Sequence, residues 1–145
     1  MSDAIREQSK RLDLLISETD AIYHEATLKL GLTDSAMSVL YTICLFDGEC
    51  SLRDIIAYSG IPKQTVNSAL RKLEGGGVLY LESVDGRKKR ACLTEKGREL
   101  CVGTVLRLMD IEDEIIGKWL PEERELYLSL TRRYLEALRE KVKEL

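Results

Sequence analysis

The chain has 145 residues, 44% of them apolar and 32% charged, with ten Gly and only two Pro. This is the composition of an ordinary, helix-rich domain, long enough to bury a sizeable core and without repeats or low-complexity stretches. The net charge of −3 excludes a uniformly basic nucleic-acid coat, yet residues 51–98 hold ten Lys and Arg against five Asp and Glu. That segment is therefore +5 and the remainder −8. A basic centre between acidic flanks suggests one anion-binding module joined to something else.

Residues 4–30 form the first expected helix. Ile5, Leu12, Leu15, Ile16, Ile22, Ala26 and Leu30 recur at helical spacing, and Gly31 ends the run. Residues 1–10 are polar and charged, so no secretory leader is expected, and no apolar run approaches the roughly 18 residues of a membrane span. The expected setting is cytoplasmic, without membrane attachment. Thr33 or Asp34 caps a second helix, which runs to about Phe46 and stops at Asp47-Gly48.

Ser51-Leu-Arg-Asp54 opens a short third helix in the manner of a capping box, and Gly60 closes it. Pro62, suited to a helix's first turn, opens the next helix, about 62–74, with Val66, Ala69, Leu70 and Leu73 inward. Two short helices joined by a tight Gly-containing turn make a helix-turn-helix candidate. The outward face of the second carries Lys63, Gln64, Thr65, Asn67, Ser68, Arg71 and Lys72. Amides, hydroxyls and cations without Glu suit base edges and phosphates, although such a face also occurs where it meets only water. The glycines at 75–77 end the helix. With no preceding strand and no following Lys-Ser/Thr they do not form a phosphate loop.

Two β-prone runs, 78–84 and 91–93, flank Asp85-Gly86, a strong hairpin signal. Arg87, Lys88, Lys89 and Arg90 follow directly. Four adjacent cations repel one another unless a polyanion such as the DNA backbone is near. The plainer alternative is a solvated hairpin with Lys protecting its edge. Arg87 suits a narrow minor groove because guanidinium is weakly hydrated, and Asp85 is positioned to orient it. Thr94 then caps a long helix, about 95–118. Pro121, with Glu122 and Glu123, opens a last one whose stripe is Leu126, Leu130, Tyr134, Leu138 and Val142. These terminal helices either cover the core or pair with a second chain, and pairing is the more economical use because helix-turn-helix readers act on two half-sites.

The order of elements, and three segments in particular, resemble the MarR family of winged-helix regulators. The segments are G-I-P-K-Q-T-V-N-S-A-L-R-K-L-E (60–74), like the family recognition helix; Asp85-Gly-Arg87-Lys-Lys89, like its wing pattern; and L-T-E-K-G-R-E-L (93–100), like the start of its fifth helix. The resemblance implies a mainly α fold with a small β-hairpin wing. The single chain 1–145 would divide into a winged helix-turn-helix DNA-binding region, 33–94, and a helical dimerisation region, 1–32 with 95–145, using Leu12, Leu126, Leu130, Tyr134 and Leu138. It further implies a homodimeric repressor on a pseudo-palindromic operator. Recognition helices would enter the major groove and wings the minor groove, with release by a small aromatic or phenolic effector whose site residues the sequence does not identify. The DNA-contacting set would be Lys63, Gln64, Thr65, Asn67, Ser68, Arg71, Asp85, Arg87, Lys88 and Lys89.

Two alternatives stay open. One is a thiol-based redox sensor using Cys50 and Cys92 as strand neighbours, with Lys88 and Arg90 favouring a thiolate. The other is a winged-helix protein–protein adaptor without DNA binding. Cys44, Cys50, Cys92 and Cys101 include no C-x-x-C pair and His24 is the single histidine, so neither a metal nor a cofactor is expected. His24 and Tyr23 are candidates for lining an effector pocket. No nucleophile elbow, Cys–His pairing or dinucleotide fingerprint points to an enzyme.

Overall fold

The computed structural model describes residues 1–86 and 88–145, and the side chains of all of these except Val84 and Lys88. In chain order the elements are α1 (Asp3–Lys29), α2 (Asp34–Leu45), β1 (Glu49–Ser51), α3 (Leu52–Tyr58), α4 (Lys63–Gly75), β2 (Leu79–Val84), β3 (Lys88–Leu93), α5 (Glu95–Gly103), α6 (Val105–Gly117) and α7 (Pro121–Val142). The chain divides into two compact units, Met1–Leu108 and Met109–Leu145. No single helix among the described residues is long and apolar enough to cross a membrane.

Helix starts follow local chemistry. Ser2, Thr33, Ser51 and Thr94 are extended N-cap residues whose hydroxyls accept the N–H of Ile5, Ala36, Asp54 and Gly97. Pro62 is itself the N-cap of α4 rather than its first residue, so that helix begins without a side-chain cap. At α7, Pro121 occupies the first turn and the Leu120 N–H donates to Glu123 Oε1 at 2.8 Å.

In the first unit, α2 contributes Val39, Leu40 and Ile43, α3 contributes Ile55, and α4 contributes Val66, Ala69, Leu70 and Leu73 to a common core. The inward stripe of α4 is the one its sequence spacing requires. Val78, Leu79, Ala91 and Leu93 close the core from the sheet, with Cys101, Val105 and Leu108 beyond. Each such side chain contributes roughly 1.5–3 kcal/mol through removal from water.

The sheet is antiparallel in the order β1-β3-β2. Leu79 pairs with Leu93 and Val84 with Lys88, while Cys50 pairs with Ala91 and Glu49 with Cys92. At the hairpin turn Asp85 and Gly86 both have positive φ, 53° and 72°. Asp tolerates that left-handed conformation better than most side chains, and Gly adopts it freely.

The hairpin base is clamped by the start of α5. Thr94 Oγ1 donates to the Gly77 carbonyl at 2.6 Å, and Lys96 Nζ donates to that of Gly76 at 2.7 Å. Gly97 lies so close to the β2 entrance that a Cβ there would stand 1.9 Å from the Val78 carbonyl oxygen. This gives the T-E-K-G run a mechanical role, because three of its four residues hold the turn at 76–78.

One expected element changes. The helix expected over 95–118 breaks at Thr104, where φ is −131° and ψ −87°, giving α5 and α6. Gly103 weakens the helix just before the break, and Thr104 Oγ1 donates to the Leu100 carbonyl at 2.7 Å, a local bond that bends helices.

Candidate nucleic-acid interface

The α3–turn–α4 unit is held by Ser51 Oγ, which accepts the Asp54 N–H at 3.1 Å, and by the Ser59 N–H, which donates to the Ile55 carbonyl at 2.9 Å. Gly60 turns the chain at φ 74°. With Val66, Ala69, Leu70 and Leu73 buried, Lys63, Gln64, Thr65, Ser68, Arg71 and Lys72 are exposed on α4 and Asn67 is half-buried. The first turn of α4 has no acidic residue and no side-chain cap, so its N–H groups and Lys63 present positive potential. Ser68 Oγ donates to the Gln64 carbonyl at 3.0 Å. Its proton is thus engaged, and its oxygen stays available as an acceptor.

The hairpin joins this surface. Lys89 is exposed and shares the sheet face of Ala91 and Leu93. Together with Lys63 and Asn67 it lines an open groove of about 730 Å³, whose other walls include Arg53, Asp54, Ile56 and Tyr58 of α3. Asp85 is exposed at the turn. Arg87, and the side chain of Lys88, lie outside the described residues, so the contacts expected of them are not part of this geometry.

Arg90 behaves differently from its basic neighbours. Its Nε donates to Glu82 Oε1 at 2.8 Å, its Nη2 also reaches Glu82, and its Nη1 lies 3.4 Å from Glu49. These carboxylates raise the Arg90 pKa, the hydrogen bond to Glu82 first among the causes. The picture of four mutually repelling cations therefore needs correction, since two acids already answer the fourth. Arg53, which the sequence reading passed over, is exposed and lines the groove beside Lys63. The signal was available as a basic residue on the outward side of the first helix of the motif.

The Cys50–Cys92 pairing on which the redox alternative rests is not formed. All four cysteines are free thiols. Cys50 stands opposite Ala91 and Cys92 opposite Glu49, one residue out of register, so alternation turns their side chains to opposite faces of the sheet. Burial, with the nearby Asp54 charge, pushes the Cys50 thiol up to about 11, away from the thiolate form. Cys92 hydrogen-bonds with the Tyr80 hydroxyl, which raises the phenol's pKa. His24 Nδ1 meets Asp34 at 2.7 Å on the exposed surface.

The terminal helices carry the opposite kind of surface. Thr27 is the one buried residue of α1, and α7 has none among its described residues. Leu12 is 51% exposed, Leu126 59%, Leu130 47%, Tyr134 64% and Leu138 47%. Within the second unit, Trp119 and Tyr127 meet edge to face at 5.4 Å and, with Glu123, Leu126 and Leu130, line a shallow apolar groove of about 320 Å³.

Residues 30–90, which span the helix-turn-helix and most of the hairpin, match the family model described as the MarR family. Over that segment, a little under half of the chain, it is similar to the MarR family of transcriptional regulators. Members are regulators and not enzymes. The HTH-type transcriptional regulator YwoH of Bacillus subtilis, itself uncharacterised, is 26% identical over 107 residues, which are 73% of this chain and 77% of that one. BpsR of Bordetella bronchiseptica, whose DNA binding is regulated by 6-hydroxynicotinic acid, is 25% identical in a structural match covering 88% of this chain and 98% of that one, with a TM-score of 0.65. A MarR family regulator from Streptomyces coelicolor, solved in complex with DNA, shares the fold at 16% identity. That match covers 95% of this chain and 93% of the other, with a TM-score of 0.76. The mainly helical fold with a small antiparallel sheet is that of winged-helix MarR structures.

Proposed function

We propose that this chain is a homodimeric, cytoplasmic repressor that reads a pseudo-palindromic operator, with α4 in the major groove and the β2–β3 hairpin in the minor groove. The carrying observation is the groove in which Lys63 and Asn67 of α4 and Lys89 of β3 converge beside Arg53. A helix and a hairpin present cations to one concave surface, as a phosphate backbone requires. Gln64 and Asn67 are amides suited to bidentate contact with adenine, Ser68 accepts through its oxygen, and Lys63, Thr65, Arg71, Lys88 and Lys89 set register on phosphates. Arg87 carries the minor-groove contact, with Asp85 beside it.

The DNA-binding region is 33–94, and the helical parts, 1–32 and 95–145, serve pairing. An apolar stripe that its own chain leaves uncovered on α1 and α7 supports the homodimer through Leu12, Leu126, Leu130, Tyr134 and Leu138. The likeness to BpsR supports release by a small aromatic acid or phenol.

A gel shift tests this directly, with duplex from the region upstream of the chain's own gene as probe and an unrelated duplex as competitor. Specific retention, abolished together by Lys63→Ala and Lys89→Ala, is expected. Equal retention of both duplexes, or none, would contradict it and favour the adaptor reading.

A further inference from the structure

β3 is the middle strand of the sheet, and its two neighbours do not run equally far toward the turn. β1 ends at Ser51, opposite Arg90. The next pairs, Ser83 with Lys89 and Val84 with Lys88, join β2 and β3 alone. Arg90 therefore stands in the last three-stranded row, where the hairpin leaves the sheet as a two-stranded ribbon. Such a ribbon twists more freely than a wider sheet and is marginal by itself. Its direction has to be set at its base.

Arg90 spans that base. Its register partner on β2 is Glu82, which accepts its Nε at 2.8 Å and its Nη2, while Nη1 lies 3.4 Å from Glu49 of β1. One planar fork thus holds both outer strands, which the compact ammonium of a Lys would not do. β1 is itself anchored. Cys50 is buried, the Gly48 carbonyl accepts the Leu93 N–H at 2.9 Å, and Ser51 caps α3. A hairpin tied to Glu49 is thereby tied to the start of the helix-turn-helix. Lys89, on the opposite face of β3, lines the groove beside α4, and Arg90 does not.

We propose that Arg90, acting through Glu82 and Glu49, is a positioning residue that sets the angle of the hairpin against α3 and α4 and touches no DNA itself. Its ion pairs are part-exposed, so their loss changes a local angle and not the global fold. The consequence for DNA rests on the reading given above. A hairpin released at its base must be ordered on binding, which lowers affinity without removing a phosphate contact.

Full-length Arg90→Ala is compared with wild type, first as free protein. Millisecond-to-minute hydrogen exchange, read by mass spectrometry, should quicken in peptides covering residues 83–89. It should stay unchanged in α2 and α4, with an unaltered melting temperature. Operator affinity should fall about three- to tenfold, while the salt dependence keeps its slope. In an Arg87→Ala background the same substitution should cost less than about twofold, because Arg90 acts through the hairpin end. Glu82→Ala should weaken binding as well, about two- to fivefold, although removing a negative charge near DNA would by electrostatics alone strengthen it. Wild-type exchange rates in Arg90→Ala, full additivity with Arg87→Ala, or tighter binding by Glu82→Ala would overturn the assignment. If the wild type retains no operator, the DNA-binding reading fails, and the exchange rates of the free protein still decide whether Arg90 fixes the hairpin.

Discussion

The winged segment and the terminal helices bury their apolar residues in opposite ways. In the first, α2 and α4 place nine side chains between them out of solvent, and the sheet closes over them. In α1 and α7, together 49 residues, Thr27 is the single buried residue. Their leucines and isoleucines are as regularly spaced as those of the core, yet stand about half exposed. An amphipathic stripe shows that a helix needs a partner and not which chain supplies it. The first region finds its partner within the same chain, while the second is left with apolar stripes that its own chain does not cover, which the proposed homodimer would close.

That contrast is open to attack at graded strength. The largest effect belongs to the self-sufficient region. Leu40→Ala should cost about 2–5 kcal/mol in denaturant unfolding, because Leu40 is fully buried and the site cannot collapse completely. A loss below that range would mean the winged segment is less tightly packed than its burial indicates.

The terminal helices should respond in association and not in folding. Leu130→Asp should weaken pairing by about 2 kcal/mol or more, close to thirtyfold in the dissociation constant, since an unpaired carboxylate would be desolvated between chains. Sedimentation velocity over a dilution series reads this. An unchanged profile would place the interface elsewhere.

On the DNA side, Arg87→Ala should lower operator affinity by about 1–3 kcal/mol per half-site with an unaltered melting temperature. Titration against operator and scrambled duplex separates lost base or shape reading from a uniform loss. Equal losses on both would reduce Arg87 to a phosphate contact.

The smallest effect distinguishes two neighbours on β3. Lys89→Ala should flatten the dependence of log affinity on log salt by about one unit. Arg90→Ala should leave that slope in place, because Glu82 and Glu49 already hold its charge. Equal slopes for the two variants would break the division between a DNA-facing and an internally paired cation.

Much of the winged segment was legible because its signals are local. Ser51, Thr33 and Thr94 cap the helices their positions announce, Asp85-Gly86 makes the turn, and the Val66, Ala69, Leu70, Leu73 stripe is buried as spacing requires. What stayed hidden depends on pairing across the chain. The offset that parts Cys50 from Cys92 is a single residue of strand register, which no short-range pattern specifies. The pairing of Arg90 with Glu82 likewise requires the hairpin register. The break at Thr104 had a local cue in Gly103, outweighed by the unbroken apolar periodicity around it.

Sedimentation equilibrium of the wild-type protein in dilute solution, with circular dichroism at the same concentrations, addresses the division of labour between the two regions most directly. A helical dimer that persists to low micromolar concentration is expected. A folded, stable monomer at that concentration, with the stripes of α1 and α7 left in water, would contradict it.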